Sequence, residues 1–131
     1  MDRLFLDANV LVSAALKPES QLAGLWQLDG VRLLGSPYVV AEARRNVCEP
    51  DAAARLEALI GAMVLLPAEP ADFEFGDDPG LPGKDRPVLL AAIVAKADFL
   101  LTGDMAHFGP CFGQTISGVR MVLPGSYLRG L

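Results

Sequence analysis

The sequence predicts an α/β fold, a parallel sheet flanked by helices, and three observations carry that reading. Short apolar runs alternate with longer runs of helical periodicity, the pattern of strand–helix–strand crossovers. Leu4-Phe5-Leu6 and Phe99-Leu100-Leu101 are apolar at every position, as strands covered on both faces require. Acids follow both runs, Asp7 at once and Asp104 three residues on, where open α/β sheets gather ligands.

Taken in order, strand Leu4 to Leu6 leads through Asp7 and Ala8 to a helix, Val10 to Leu16, with Asn9 expected as its N-cap. Lys17-Pro18 ends it. A second helix is expected over Ser20 to Asp29, with Leu22, Leu25, Trp26 and Leu28 turned inward, and Gly30 stops it. Val31 to Leu34 reads as the second strand. Ser36-Pro37 has the form of an N-cap followed by proline in the first turn, opening a helix from Tyr38 to Cys48. Val39, Val40, Ala43 and Val47 form its apolar side, Glu42 lies on the shoulder, and Arg44 and Arg45 point away. A further helix, Ala52 to Ala62, precedes a third strand, Met63 to Leu66. Residues 68–83, rich in Pro, Gly and acid, form a long loop with one helical turn expected near Pro70-Ala71-Asp72, and loops of that length are usually functional. Asp85 then enters a helix, Arg86 to Lys96, with Pro87 in its first turn and Val88, Ala91, Ala92 and Ala95 on one face. Phe99 to Leu101 is the fourth strand and Val119 to Leu123 the fifth. Ser126 is expected to cap a final turn.

A length of 131 residues, 52% of them hydrophobic, suits one domain spanning 1–131. The longest uncharged apolar run, Val88 to Ala95, is far too short to cross a membrane, and the Met-Asp-Arg start lacks the order of a secretory signal. Cys48 and Cys111 have no metal or redox spacing and read as idle thiols in a reducing cytoplasm. The net charge of −5 disfavours a nucleic-acid partner at face value. That inference weakens if several acids surround metal ions, since eleven Lys and Arg remain to be placed.

Four acids stand at comparable structural positions. Asp7 and Asp104 follow strands, Asp85 starts a helix, and Glu42 sits early in another. Carboxylates placed together repel and resist burial, so a cluster of them calls for a cation; their hard oxygens suit Mg²⁺ or Mn²⁺. Each acid also has an ordinary explanation: a cap for Asp85, turns for Asp7 and Asp104, and a solvated helix face for Glu42.

Four pieces, LFLDANVLVSA (4–14), SPYVVAEARR (36–45), KDRPVLLAAIVAKADFLLTGD (84–104) and the following MAHFG, give the chain its resemblance to the PIN-domain family. These are metal-dependent nucleases that include the VapC-type toxins of bacterial toxin–antitoxin pairs. The resemblance implies a three-layer sandwich around a parallel five-stranded sheet. It also implies an acidic quartet at Asp7, Glu42, Asp85 and Asp104 holding one or two Mg²⁺ or Mn²⁺ ions, with Asn9 and Thr102 orienting the carboxylates. RNA is the implied substrate, a cognate antitoxin protein the partner, and a homodimer the assembly.

Asp77 and Asp78 compete with Asp85 for the third acidic place, and only Asp85 stands at a helix start. Lys84, Arg86, Arg44, Arg45 and Lys17 are candidates for contacts with RNA phosphates. His107, the one histidine, is expected to pack its loop more than to transfer protons. Ser13 and Ser36 read as a helix residue and a cap. Two other readings stay open: a PIN-like module that holds metal or a partner without turnover, and a phosphatase or receiver-like domain with Asp7 as phosphoryl acceptor. A second carboxylate two residues after Asp7, which haloacid-dehalogenase-type phosphatases need, is replaced by Asn9.

Overall fold

The computed structural model describes residues 1–81, 83–104 and 108–130. Six strands form one sheet: β1 (Asp2–Leu6), β2 (Val31–Gly35), β3 (Val64–Leu65), β4 (Phe99–Leu101), β5 (Thr115–Ile116) and β6 (Val119–Val122). Their order is β3-β2-β1-β4-β6-β5, parallel throughout except for β5. The five expected strands are therefore present, and a sixth runs antiparallel at the edge. It pairs with β6 through Ser117-Gly118, both with positive φ (48° and 86°), the two-residue turn whose twist matches a hairpin.

Leu4, Phe5 and Leu6 are all fully buried. Successive strand side chains point to opposite faces, so three buried in a row mean that both faces of β1 are covered. Among the described residues the chain forms five helices: α1 (Ala8–Leu16), α2 (Pro37–Arg45), α3 (Pro50–Gly61), α4 (Arg86–Val94) and α5 (Pro124–Leu128). The first three pack on one another, while α4 lies against α2, β2 and β4. Leu89, Leu100, Leu101 and Met121 complete the centre of the core, each at 1% exposure or less. Burying each contributes roughly 1.5–3 kcal/mol.

Several local expectations change. Asp7, not Asn9, caps α1, with its carboxylate accepting from the Ala8 N–H, because the residue directly after β1 already has the extended backbone of a cap. The helix expected over Ser20 to Asp29 is a 3₁₀ stretch, Leu22–Gln27, in which Trp26 donates its indole N–H to the Leu59 carbonyl. Ser36 caps α2 as expected, accepting from the Val39 N–H. Residues 68–75 contain no helical turn, and Leu123 rather than Ser126 precedes α5. Helix α4 ends two residues early. Lys96 turns left-handed (φ 56°), its N–H bonding the Ile93 carbonyl while that of Ala97 reaches Ala92, the paired bonds of a Schellman stop.

The long loop is strapped down rather than loose. Arg86 binds Asp72 at 3.0 Å, Asp78 at 2.5 Å and the Phe73 carbonyl at 2.9 Å, and stacks over the Phe75 ring. Asp77 accepts from both the N–H and the hydroxyl of Ser117, fixing the loop to the β5–β6 turn. Asp77 and Asp78 are thereby committed away from Asp85.

Candidate metal centre

At the carboxyl ends of β1 and β4 lies an open cleft of about 380 Å³. Asp7, Glu42, Asp85 and Asp104 all line it, although 97 positions separate the first from the last. Parallel pairing of β1 with β4 does most of this work, since it sets Leu6 against Leu101 and so brings the residues after both strands together.

Asp7 is the most firmly held. Its Oδ1 accepts from the Ala8 N–H at 2.7 Å, and its Oδ2 accepts from the Thr102 hydroxyl at 2.8 Å and the Asn9 amide at 3.2 Å. Thr102, fully buried, also accepts from the Asp104 N–H at 3.1 Å, and Asn9 accepts from the Gly103 N–H at 2.9 Å. One network thus ties the start of α1 to the end of β4. Burial pushes the Asp7 carboxyl above its ordinary value; the Thr102 and Ala8 bonds oppose that rise, and the charges of Asp104 and Asp85 add to it.

Asp85 ends a 3₁₀ turn, Gly83–Asp85, and is 6% exposed. It occupies the N-cap position of α4 with a helical backbone and makes no side-chain cap bond. The ordinary explanation for this acid, a helix cap, therefore does not describe it. Glu42 lies on the rim and pairs with Arg45 one turn along α2.

Two wall residues escaped the sequence reading. Tyr38 and Asn46 both line the cleft, four residues before and after Glu42. Spacing of that kind puts all three on one face of α2, so the placement of Glu42 was itself the missed clue. Burial and the charges of Glu42 and Asp85 raise the Tyr38 hydroxyl above its ordinary value, so it keeps its proton at neutral pH. Ser13 also lines the cleft.

Among the expected cation contacts, only Lys84 lines this cleft. Arg86 is spent on the loop, and Arg44 is held by both oxygens of Glu57 on α3 at 2.9 and 2.7 Å. Both were expected at the substrate; each instead found acids nearer by, contributed by the loop and by α3. His107 lies outside the described residues.

The donor set is chemically apt for a hard cation: carboxylates only, two of them almost buried. Among the described residues no three His, Cys, Asp or Glu side chains are already gathered tightly enough to enclose an ion. Asp7 and Glu42 bond to protein partners in this structure. The residues fit a divalent cation that would draw them inward.

Comparison with known proteins agrees with this picture. No curated protein matches the sequence. Among solved structures, the chain is similar to one in the crystal structure of VapBC2 from Rickettsia felis bound to a DNA fragment from their promoter. The TM-score is 0.63 at 15% identity, over 91% of this chain and 96% of that one, a likeness of fold. A PIN domain family model matches residues 3–106, a span that holds all four acids, and by that match the chain belongs to the PIN-domain family.

Proposed function

We propose that this protein is a metal-dependent endoribonuclease and the toxin of a toxin–antitoxin pair. The observation that carries the nuclease reading is the convergence of Asp7, Glu42, Asp85 and Asp104, from four separate segments, on one cleft. These four would hold one or two Mg²⁺ or Mn²⁺ ions. Such an ion, when bound, lowers the pKa of a water and offsets the charge that builds on a phosphodiester during in-line displacement. The chain itself supplies positioning. Thr102, Asn9 and the Ala8 N–H fix the orientation of Asp7 and so the direction from which an ion is gripped. Lys84 draws the phosphate backbone toward an otherwise acidic cleft, and the protonated Tyr38 hydroxyl, which also lines it, offers a donor. No side-chain nucleophile is needed.

The toxin role rests on family membership and on the likeness to a VapBC2 chain; an antitoxin would cover this cleft. A homodimer rests on family membership and is checked by light scattering. Among the described residues no helix is long and apolar enough to cross a membrane, and both described cysteines are free, which supports a cytoplasmic setting.

Purified protein should cleave single-stranded RNA with Mg²⁺ or Mn²⁺, stop on chelation, and lose activity in Asp7→Asn. Full activity in that variant removes the mechanism. One observation favours the second reading, a binding module without turnover: Glu42 is paired with Arg45. Calorimetric Mn²⁺ binding with no RNA cleavage would establish that reading instead.

A further inference from the structure

Beside the acidic cleft lies a second and larger one, about 570 Å³, which shares Asn9, Ser13 and Asp104 with it. The two are therefore neighbouring hollows with a common wall, and whatever lies over the acids has a path into the second. Its volume falls within the ~300–1,000 Å³ usual for ligand sites. The far side is built differently from the acidic cleft. Leu22, Leu123 and Pro124 give it an apolar floor, and Arg129, just past α5, stands over that floor. Among the described residues Arg129 pairs with no carboxylate, and its one side-chain bond is a long 3.5 Å contact to the Ser126 hydroxyl. Arg44, Arg45 and Arg86, by contrast, are each engaged by acids.

We infer that this second cleft is a nucleotide subsite, in which Arg129 binds the phosphate next to the scissile one on a single-stranded RNA. The inference rests on the nuclease reading and adds to it a direction for the strand, from Lys84 across the acids to Arg129. A strand laid over four carboxylates meets repulsion unless cations accompany it; Lys84 lines the acidic cleft and Arg129 the neighbouring one, with Asp104 in the wall they share. A planar guanidinium with two parallel donors suits a phosphate well. No aromatic ring lines this cleft among the described residues, so affinity here comes from the phosphate contact and the apolar floor rather than from base stacking, and it is tolerant of sequence.

The experiment compares the wild type with Arg129→Gln, Arg129→Lys and Gly125→Leu. Gly125 takes a side chain without backbone strain, and a Cβ there would lie 3.1 Å from Arg129 Nη1, a flexible tip that yields while the leucine fills the hollow. Cleavage of fluorescent oligoribonucleotides of increasing length is measured with Mn²⁺, and binding of the same probes is measured by anisotropy on an Asp7→Asn background across a salt series. Arg129→Gln should raise KM and Kd roughly 5- to 10-fold for probes long enough to enter both clefts, and should flatten the salt dependence by about one unit of slope. For a dinucleotide the difference should vanish. Arg129→Lys should restore the slope, and Gly125→Leu should weaken long probes only. Unchanged KM, Kd and slope in Arg129→Gln overturn the subsite while cleavage by the wild type upholds the nuclease. Binding that depends on Arg129 without any cleavage upholds the subsite and overturns the nuclease. Absence of RNA binding altogether overturns both.

Discussion

Asp7 and Asp77 carry the same side chain, and their environments push them in opposite directions. Burial and neighbouring acids raise Asp7, whereas the N–H and hydroxyl of Ser117 hold Asp77 below its ordinary value. Asp78, beside Arg86, is held low as well. The loop acids are exposed and matched to donors: Asp77 ties the loop to the hairpin through Ser117, and Asp78 ties it to Arg86. Among the cleft acids Asp7 is buried, and burial together with the charges of Asp104 and Asp85 disfavours its ionised form. Under the proposed function a divalent cation neutralises the cleft acids, and the contrast then separates acids that anchor the loop from acids that hold an ion.

The sharpest way to break the contrast is to remove support from each side in turn. Thr102→Val takes away the hydroxyl that donates to Asp7 and accepts from Asp104, in a shape-conserving change. RNA cleavage or Mn²⁺ affinity should fall ~10–100-fold, as for other residues that orient ligands. Asp77→Asn should leave the rate of cleavage within about twofold, because its partner Ser117 lies outside the cleft. Equal losses in the two variants would erase the distinction.

Arg86→Gln tests the other region. Its guanidinium joins Asp72, Asp78, the Phe73 carbonyl and the Phe75 ring, so its loss frees several loop anchors at once. Limited proteolysis should nick residues 72–81 several-fold faster, in proportion to the opened population. An unchanged nicking pattern would mean that the loop is held by something other than this arginine.

Acid titration then separates the regions by sign. Asp77 and Asp78 have folded pKa values below the unfolded 3.8, so their contribution is whole above that pH and is lost as pH falls through the folded values. Asp7 has a folded pKa above 3.8, so its charge penalises the metal-free fold at neutral pH, and the penalty lifts as pH falls toward 3.8. Chemical denaturation in chelator should therefore show the wild type gaining on Asp104→Asn as the pH is lowered from 7 to 4, since Asp104 adds to the Asp7 penalty only while both are charged. Asp77→Asn should stay below the wild type by a constant amount over the same range and converge with it only as pH falls below 3.8.

Which of these features the sequence discloses follows from how local their causes are. Strands β1 and β4 were readable because Leu4-Phe5-Leu6 and Phe99–Leu101 are apolar at every position and each run is followed by an acid; their register then delivers Asp7 and Asp104 to one place. Asp85 was readable from its position before Pro87. The commitments of Arg86 and Arg44 were not, because each depends on a partner brought by a distant turn or helix, Asp72 and Asp78 for one and Glu57 for the other. Strand β5 is two residues long, too short to display alternation, although Ser117-Gly118 announced its turn. Arg129 carried no local mark at all: it shares a cleft with Asn9 and Ser13 only because β6 delivers α5 to that end of the molecule.

The smallest effect concerns that same turn. Ser117 is left-handed without being glycine, which costs roughly 1 kcal/mol, and its hydroxyl donates to the exposed Asp77 at 2.8 Å, which offsets part of that cost. Ser117→Gly removes both together, so stability should move by less than about 0.5 kcal/mol. In an Asp77→Ala background the hydroxyl has already lost its acceptor, and the same glycine should then stabilise by roughly 0.5–1 kcal/mol, because only backbone strain is left to relieve. Denaturant midpoints for the four members of this cycle measure the difference. A glycine that acts identically in both backgrounds would mean that Asp77 holds the turn through the Ser117 N–H alone, and the loop acid would then anchor backbone and not side chain.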